Sequence, residues 1–79
     1  AIFLTLGGTR KVMNLAEMKQ LVRICYAAES KTDALRQLYT ALARERSDII
    51  KDAGIVNAAS PLMDGLFHAL RGKYRLEDR

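Results

Sequence analysis

The hydrophobic positions of this chain form one short apolar run at the N-terminus, followed by three stripes at helical spacing. Residues 1–6 combine β-branched and aromatic side chains and end at Gly7-Gly8, which predicts a strand. Because a Gly-Gly pair suits the primed turns that close hairpins, residues 9–13 are the candidate partner strand. A two-stranded ribbon alone is marginally stable in water. It therefore needs helices beneath it or a strand from a second subunit, and an unpaired terminus is the alternative.

Two amphipathic helices are predicted after this run. Asn14 is a suitable N-cap with Glu17 three residues on, as in a capping box, and the first helix then extends to about Glu29. Ser30 and Asp33 repeat the pattern at the start of the second helix. The first stripe comprises Leu15, Met18, Leu21, Val22, Cys25 and Ala28, and the second comprises Leu35, Leu38, Tyr39 and Leu42.

The apolar pattern lapses after the second helix and resumes at Ile49. We expect a break or bend there, with Ser47 or Asp48 capping a short helix that ends at Gly54 in the left-handed conformation. A continuous helix across a solvated turn is the alternative. Ser60-Pro61 predicts the start of a final helix, since serine caps helices and proline favours their first position. The last stripe comprises Leu62, Met63, Leu66, Phe67 and Leu70.

These elements predict an all-α domain of three to four short helices with a short N-terminal strand or hairpin. The chain of 79 residues suffices for a single domain, residues 1–79, with a thin core. Hydrophobic residues make up 49% of the chain, more than so small a core covers, and we therefore expect a homodimer. Ile2, Phe3 and Leu4 are predicted at or near its interface. The predicted core residues are Leu35, Leu38, Leu42, Leu66, Phe67 and Leu70.

The residues able to support catalysis are few, and we expect no enzyme, no metal site and no cofactor. Cys25 is the single cysteine, which excludes an internal disulfide and a cysteine-rich zinc site. It belongs to the first apolar stripe and is expected to be a buried, inert thiol rather than a nucleophile. His68 is the single histidine, and we expect it to pack or to offset the helix dipole rather than act as a base.

The basic residues point to nucleic acid as a partner. The net charge is +4 and the isoelectric point is about 9.6, an excess that suits nucleic acid without requiring it. Candidates for phosphate contacts lie at the end of the last helix, along the second helical region and just after the Gly-Gly turn. In that order they are Arg71, Lys73 and Arg75, then Arg44, Arg46 and Lys51, then Arg10 and Lys11. Helix-dipole compensation and solvated faces are the structural alternatives for each group.

Two stretches resemble DNA-binding motifs in part. Residues 47–55 followed by residues 66–73 resemble a helix-turn-helix, the first as positioning helix and the second as the end of the recognition helix. The segment between them is too long for the tight turn of that motif, and Ser60-Pro61 starts a new helix within it. Residues 30–39, with Lys31-Thr32 and Leu35-Arg36, resemble the second helix of ribbon-helix-helix antitoxins. In those proteins a preceding strand pairs with its copy from a second subunit to enter the major groove, and the equivalent residues 10–14 have little β-pattern here. Neither resemblance identifies a family.

The sequence thus favours a small DNA-binding regulator of bacterial, plasmid or phage type, which fixes itself on double-stranded DNA through phosphate contacts. The alternative is a helical adaptor or anti-factor that binds another protein through an apolar surface. We expect a cytoplasmic protein without a membrane partner, since the apolar run at residues 1–6 is too short for a span and lacks a preceding basic residue.

Overall fold

A β-hairpin followed by four helices makes up residues 2–74, the part of the chain that the computed structural model describes. The elements are β1 (Ile2–Leu6), β2 (Thr9–Met13), α1 (Leu15–Ala27), α2 (Lys31–Glu45), α3 (Ser47–Ala53) and α4 (Pro61–Gly72). The predicted mostly helical fold with an N-terminal hairpin is confirmed.

The two glycines between the strands set the hairpin turn. Gly7 has φ +58° and Gly8 has φ +80°, as the two central residues of a type I′ turn require. The strands are antiparallel, with Leu6 opposite Thr9 and Phe3 opposite Val12. A Cβ on Gly7 would also lie 3.0 Å from a methyl group of Leu62, so the turn packs closely against α4.

The hairpin packs its inner face on the helices. Leu4, Leu6 and Met13 are buried, whereas Phe3 and Val12 are exposed on the outer face, as the two-residue alternation of strands dictates. Leu4 is only 2% exposed, so this protomer's own core covers it and leaves little of it for contact with a second subunit. The homodimer itself stays a prediction.

The predicted helix starts are confirmed where a side chain caps the backbone. The Asn14 side chain accepts a hydrogen bond from the Glu17 amide at 2.8 Å, and the Glu17 carboxylate accepts one from the Asn14 amide at 2.9 Å, which completes a capping box. Ser30 accepts a hydrogen bond from the Asp33 amide at the start of α2. The predicted break after α2 is also present, but it falls at Arg46 (φ −139°, ψ 59°), just before Ser47.

The end of α3 has the predicted left-handed glycine. Gly54 has φ +73°, and the Ile55 amide donates to the Ile50 carbonyl at 3.0 Å, as in a Schellman motif. Ile55 is buried, which supplies the hydrophobic contact that accompanies this motif. Ser60 caps α4 through the Leu62 amide, and Pro61 takes the first helical position.

The core lies where α1, α2 and α4 meet beneath the hairpin. Of the six predicted core residues, five are buried and Leu35 is half-buried at its edge. The largest fully buried side chains are Leu38, Leu42, Ile49, Met63, Leu66, Leu70 and Val22. Within residues 2–74 no helix is both long and apolar enough to cross a lipid bilayer.

Candidate nucleic-acid interface

Neighbouring cations on β2 have opposite environments. Arg10 is exposed on the outer face of the hairpin, whereas the Lys11 ammonium lies 2.5 Å from the Asp52 carboxylate and 3.7 Å from that of Asp48. The hydrogen bond with Asp52 is the largest cause of a raised pKa at Lys11. The charge of Lys11 is thus neutralised by α3.

Arg46 has the same structural role at the break between α2 and α3. Its guanidinium donates to the Val12 carbonyl at 3.0 Å, to Asp48 at 3.1 Å and to Glu17 at 3.3 Å. The hydrogen bond to Arg46 is the main reason that the pKa of Asp48 is lowered. We call Lys11, Glu17, Arg46, Asp48 and Asp52 the ion-pair cluster, and we leave its two cations out of the candidate interface.

Of the three other predicted cations, the structure describes two. Arg44 is exposed on α2, beside a groove that α2 forms with α1. Lys51 is exposed on α3 and, like Arg44, forms no ion pair among residues 2–74. Arg75 lies outside the described residues.

Arg71 is held at the C-terminal end of α4 by an aromatic side chain of α1. The Tyr26 hydroxyl donates to the Arg71 carbonyl at 2.9 Å, and the Arg71 guanidinium lies 4.8 Å from the centre of the Tyr26 ring. It also lies 5.7 Å from the Phe67 ring centre. These contacts orient an exposed cation without neutralising it.

Beneath this contact, the thiol of Cys25 is buried. Burial raises its pKa to about 11, and the nearby charge of Arg71 opposes the shift. At neutral pH the sulfur is therefore protonated and a poor nucleophile, as predicted.

Lys73 and Arg10 meet across a groove between α4 and the hairpin. The groove has a volume of about 330 Å³, and Phe3, Thr5 and Tyr74 also line it. The Arg10 guanidinium lies 4.2 Å from the Phe3 ring centre, and the Lys73 ammonium lies 5.6 Å from that of Tyr74. The Tyr74 hydroxyl donates to the Phe3 carbonyl at 3.2 Å and so joins the two walls.

Sequence reasoning missed two cations on α1. Lys19, Arg23 and Tyr26 are exposed and follow the i, i+4, i+7 spacing that places residues on one side of a helix. This row therefore leads along α1 to the Tyr26–Arg71 contact. The spacing of these three residues could have indicated that they share one side of α1. Only the contact between Tyr26 and Arg71 shows that this side leads to the basic end of α4.

We call Arg10, Lys19, Arg23, Arg71 and Lys73 the cationic arc. All five are exposed, and none forms an ion pair with another residue in the part of the chain that the structure describes. The carboxylates that do form ion pairs are paired with cations outside the arc; they are Glu17, Asp33, Asp48, Asp52 and Asp64. Within residues 2–74, therefore, no carboxylate forms an ion pair with the arc.

His68 and the carboxylates are the remaining groups that could hold a metal ion or transfer a proton. His68 is exposed, its ring lies edge-on to Phe67, and its Nε2 lies 3.6 Å from Asp64. No three His, Cys, Asp or Glu side chains of this described stretch are grouped to hold a metal ion. Comparisons with known protein families, with curated proteins and with solved structures give no match for this chain.

Proposed function

We propose that this domain binds DNA through the cationic arc and acts as a small regulatory protein. The contact between Tyr26 and Arg71 is the observation that carries the proposal, because it joins the cations of α1 to those at the end of α4. Cations without carboxylate partners are the groups that neutralise phosphates and release condensed counterions.

The arc offers phosphate contacts from three elements. Lys19 and Arg23 lie about 6 Å apart along α1, at 1.5 Å of rise per residue. Arg71 is oriented by Tyr26, while Arg10 and Lys73 flank the groove between the hairpin and α4. Contacts of this kind fix the position of a protein on DNA but contain little sequence information. Base recognition would fall to polar side chains beside the arc.

Binding of duplex DNA at several salt concentrations tests the proposal. The affinity should fall steeply with salt, and the double change Lys19→Ala and Arg23→Ala should lower the log–log slope by about 0.9 for each phosphate that is no longer neutralised. The matched control is Lys51→Ala, which removes one exposed cation from α3 and should leave the slope unchanged. Absence of binding to both duplex and single-stranded DNA at about 50 mM salt, where such contacts are strong, would overturn the proposal.

The expected homodimer needs a surface other than the hairpin edges. The Phe3 carbonyl of β1 accepts from Tyr74, and the Val12 carbonyl of β2 accepts from Arg46. A strand added at either edge would have to displace one of these bonds. Outside the hairpin, Leu15 at the start of α1 and Val56 after α3 are exposed apolar side chains. Sedimentation should show a dimer at micromolar concentration, and Val56→Lys should dissociate it.

Docking of another protein is the second candidate function, and the groove between α1 and α2 favours it. The groove has a volume of about 410 Å³, with Ala16 and Ala41 on its two walls and Leu21 and Leu42 also lining it. Small side chains at such positions admit the close approach of a partner's side chains. A protein of this class would bind no duplex at low salt, and Ala41→Arg would block its partner.

A further inference from the structure

We infer that the groove between the hairpin and α4 takes an unpaired base of a nucleic-acid strand, so that single strands bind more tightly than duplexes. The inference rests on the proposed function, because it concerns part of the same cationic arc. It adds the form of the nucleic acid, which phosphate contacts alone leave open.

The first observation is a contact between an aromatic ring and a guanidinium on the outer face of the hairpin. Phe3 is 38% exposed, and the exposed Arg10 guanidinium lies 4.2 Å from the centre of its ring. The two residues are diagonal neighbours across the strands, since Arg10 is opposite Thr5 and Phe3 is opposite Val12. Aromatic rings and arginine planes are the surfaces on which unpaired bases stack.

The second observation is a cation placed for the phosphate of the same nucleotide. Lys73 lines the groove with Arg10 and Phe3, and it forms no ion pair with a residue among 2–74. The groove volume of about 330 Å³ falls within the range of small-ligand pockets. The hydrogen bond from Tyr74 to Phe3 fixes its two walls relative to one another.

These features favour a strand over a duplex for a geometric reason. In a duplex each base is stacked between its neighbours, so only base edges and the backbone face the protein. The faces of an aromatic ring and a guanidinium cannot stack on bases whose own faces are already covered by their neighbours. An unpaired base exposes its π-face, which stacks with little dependence on sequence.

The experiment compares three fluorescent probes of equal length, at fixed low salt. They are a single strand of about twelve thymidines, the same strand paired with its complement, and an abasic strand that keeps the phosphates. A strand of about twelve nucleotides is within the range that small single-strand modules cover. The thymidine strand should bind about tenfold more tightly than the other two, as one stacked base implies. Thymidine monophosphate should compete only weakly, since it lacks the phosphates that contact the rest of the arc.

Two variants separate stacking from charge. Phe3→Leu should lower the affinity for the thymidine strand about tenfold and leave the salt slope and the duplex affinity unchanged. Arg10→Lys keeps the charge but removes the planar group, and it should weaken the same probe selectively. Val12→Ala is the matched control, because Val12 is exposed on the same outer face but does not line the groove. Thermal unfolding of each variant checks that it is folded.

The outcomes distinguish the two proposals. Equal binding of all three probes, with no effect of Phe3→Leu, would overturn the base site and leave phosphate binding by the arc intact. Competition by thymidine monophosphate as strong as by the strand would identify a free nucleotide as the ligand and overturn the strand assignment. Absence of binding to every probe would overturn the proposed function itself.

Discussion

The ion-pair cluster and the cationic arc both contain lysine and arginine side chains, but these side chains have different roles in the two regions. In the cluster, Lys11 and Arg46 are surrounded by carboxylates and join β2, α1 and α3. In the arc, Arg10 and Arg71 contact aromatic rings, which orient a cation without cancelling its charge. The difference teaches that the neighbours of a cation, rather than its presence, decide whether it stabilises the fold or remains available for a ligand.

The difference between the neutralised cations and the open ones depends on the helix that each cation faces. Lys11 faces α3, and Arg71 faces α1. Asp48 and Asp52 lie four residues apart on one side of α3, so both carboxylates reach Lys11 on β2. The corresponding row on α1 consists of Lys19, Arg23 and Tyr26, which supplies an aromatic ring instead of a carboxylate. Arg10 and Lys11 are consecutive residues of β2, so the alternation of a strand directs them into two different environments.

The largest effect should come from the core that supports both regions. Leu38 is fully buried, and Leu38→Ala should cost about 2–5 kcal/mol of unfolding free energy, as cavity-forming changes do. Chemical denaturation measures this cost. Leu66→Ala tests the same expectation at a second buried position. A cost below about 0.5 kcal/mol at both sites, the size of ordinary surface effects, would show that these stripes do not form the core.

Removing the central cation of the cluster should have the next largest effect. Arg46→Ala deletes hydrogen bonds to Val12, Glu17 and Asp48, and we expect a decrease of about 1–2 kcal/mol in unfolding free energy. The slope of DNA affinity against salt should not change. Arg44→Ala is the matched control on the same helix, because Arg44 has no ion pair among residues 2–74 and should leave stability nearly unchanged. If Arg46→Ala lowered the slope of DNA affinity against salt, Arg46 would have to be counted among the phosphate-binding residues.

The two neighbouring cations of β2 provide the sharpest contrast. Arg10→Ala should weaken nucleic-acid binding about tenfold, as expected when one cation no longer neutralises a phosphate, and should barely move the melting temperature. Lys11→Ala should lower the melting temperature and leave the binding unchanged, because Asp48 and Asp52 already neutralise Lys11. Equal effects of both variants on binding would remove the distinction between cluster and arc.

The smallest predicted effect is the pH dependence of the cluster. The pKa of Asp48 is lowered in the folded state, mainly by its hydrogen bond to Arg46. Its contribution to stability is therefore complete above about pH 4, the usual value of an unfolded aspartate, and disappears as the pH falls through the lowered folded-state value. The pKa of Asp64 is lowered in the same direction by Lys31. Acid titration of unfolding should show a shallower decline of stability in Asp48→Asn than in the unmodified chain.

Local sequence rules predicted most of the secondary structure. Asn14 with Glu17, Ser30, Gly54 and Ser60-Pro61 all mark helix ends where the sequence analysis placed them, because caps depend on residues within one turn. The same rules failed at the break after α2. No side chain caps α3 there, and Arg46 is fixed by contacts with β2 and α1 that are distant in sequence.

The candidate site was predictable only in part. Arg10, Arg71 and Lys73 were named from the sequence as phosphate ligands, and the structure leaves them exposed and without ion-pair partners among residues 2–74. Lys11 was named on the same grounds and is neutralised by α3. Lys19 was not named from the sequence, since its row gains significance only from the contact of Tyr26 with α4.

The sequence by itself determined the helices, their caps and the hairpin turn, because hydrophobic period, capping side chains and a Gly-Gly pair act over a few residues. Tertiary structure alone decided which cations are neutralised by a carboxylate and which have no ion-pair partner among residues 2–74. An ion pair needs two side chains within a few ångströms, and residues such as Lys11 and Asp52 reach that distance only when the hairpin packs against α3. It likewise decided that Leu4 belongs to the core of one protomer, since burial depends on what the rest of the chain places over a strand.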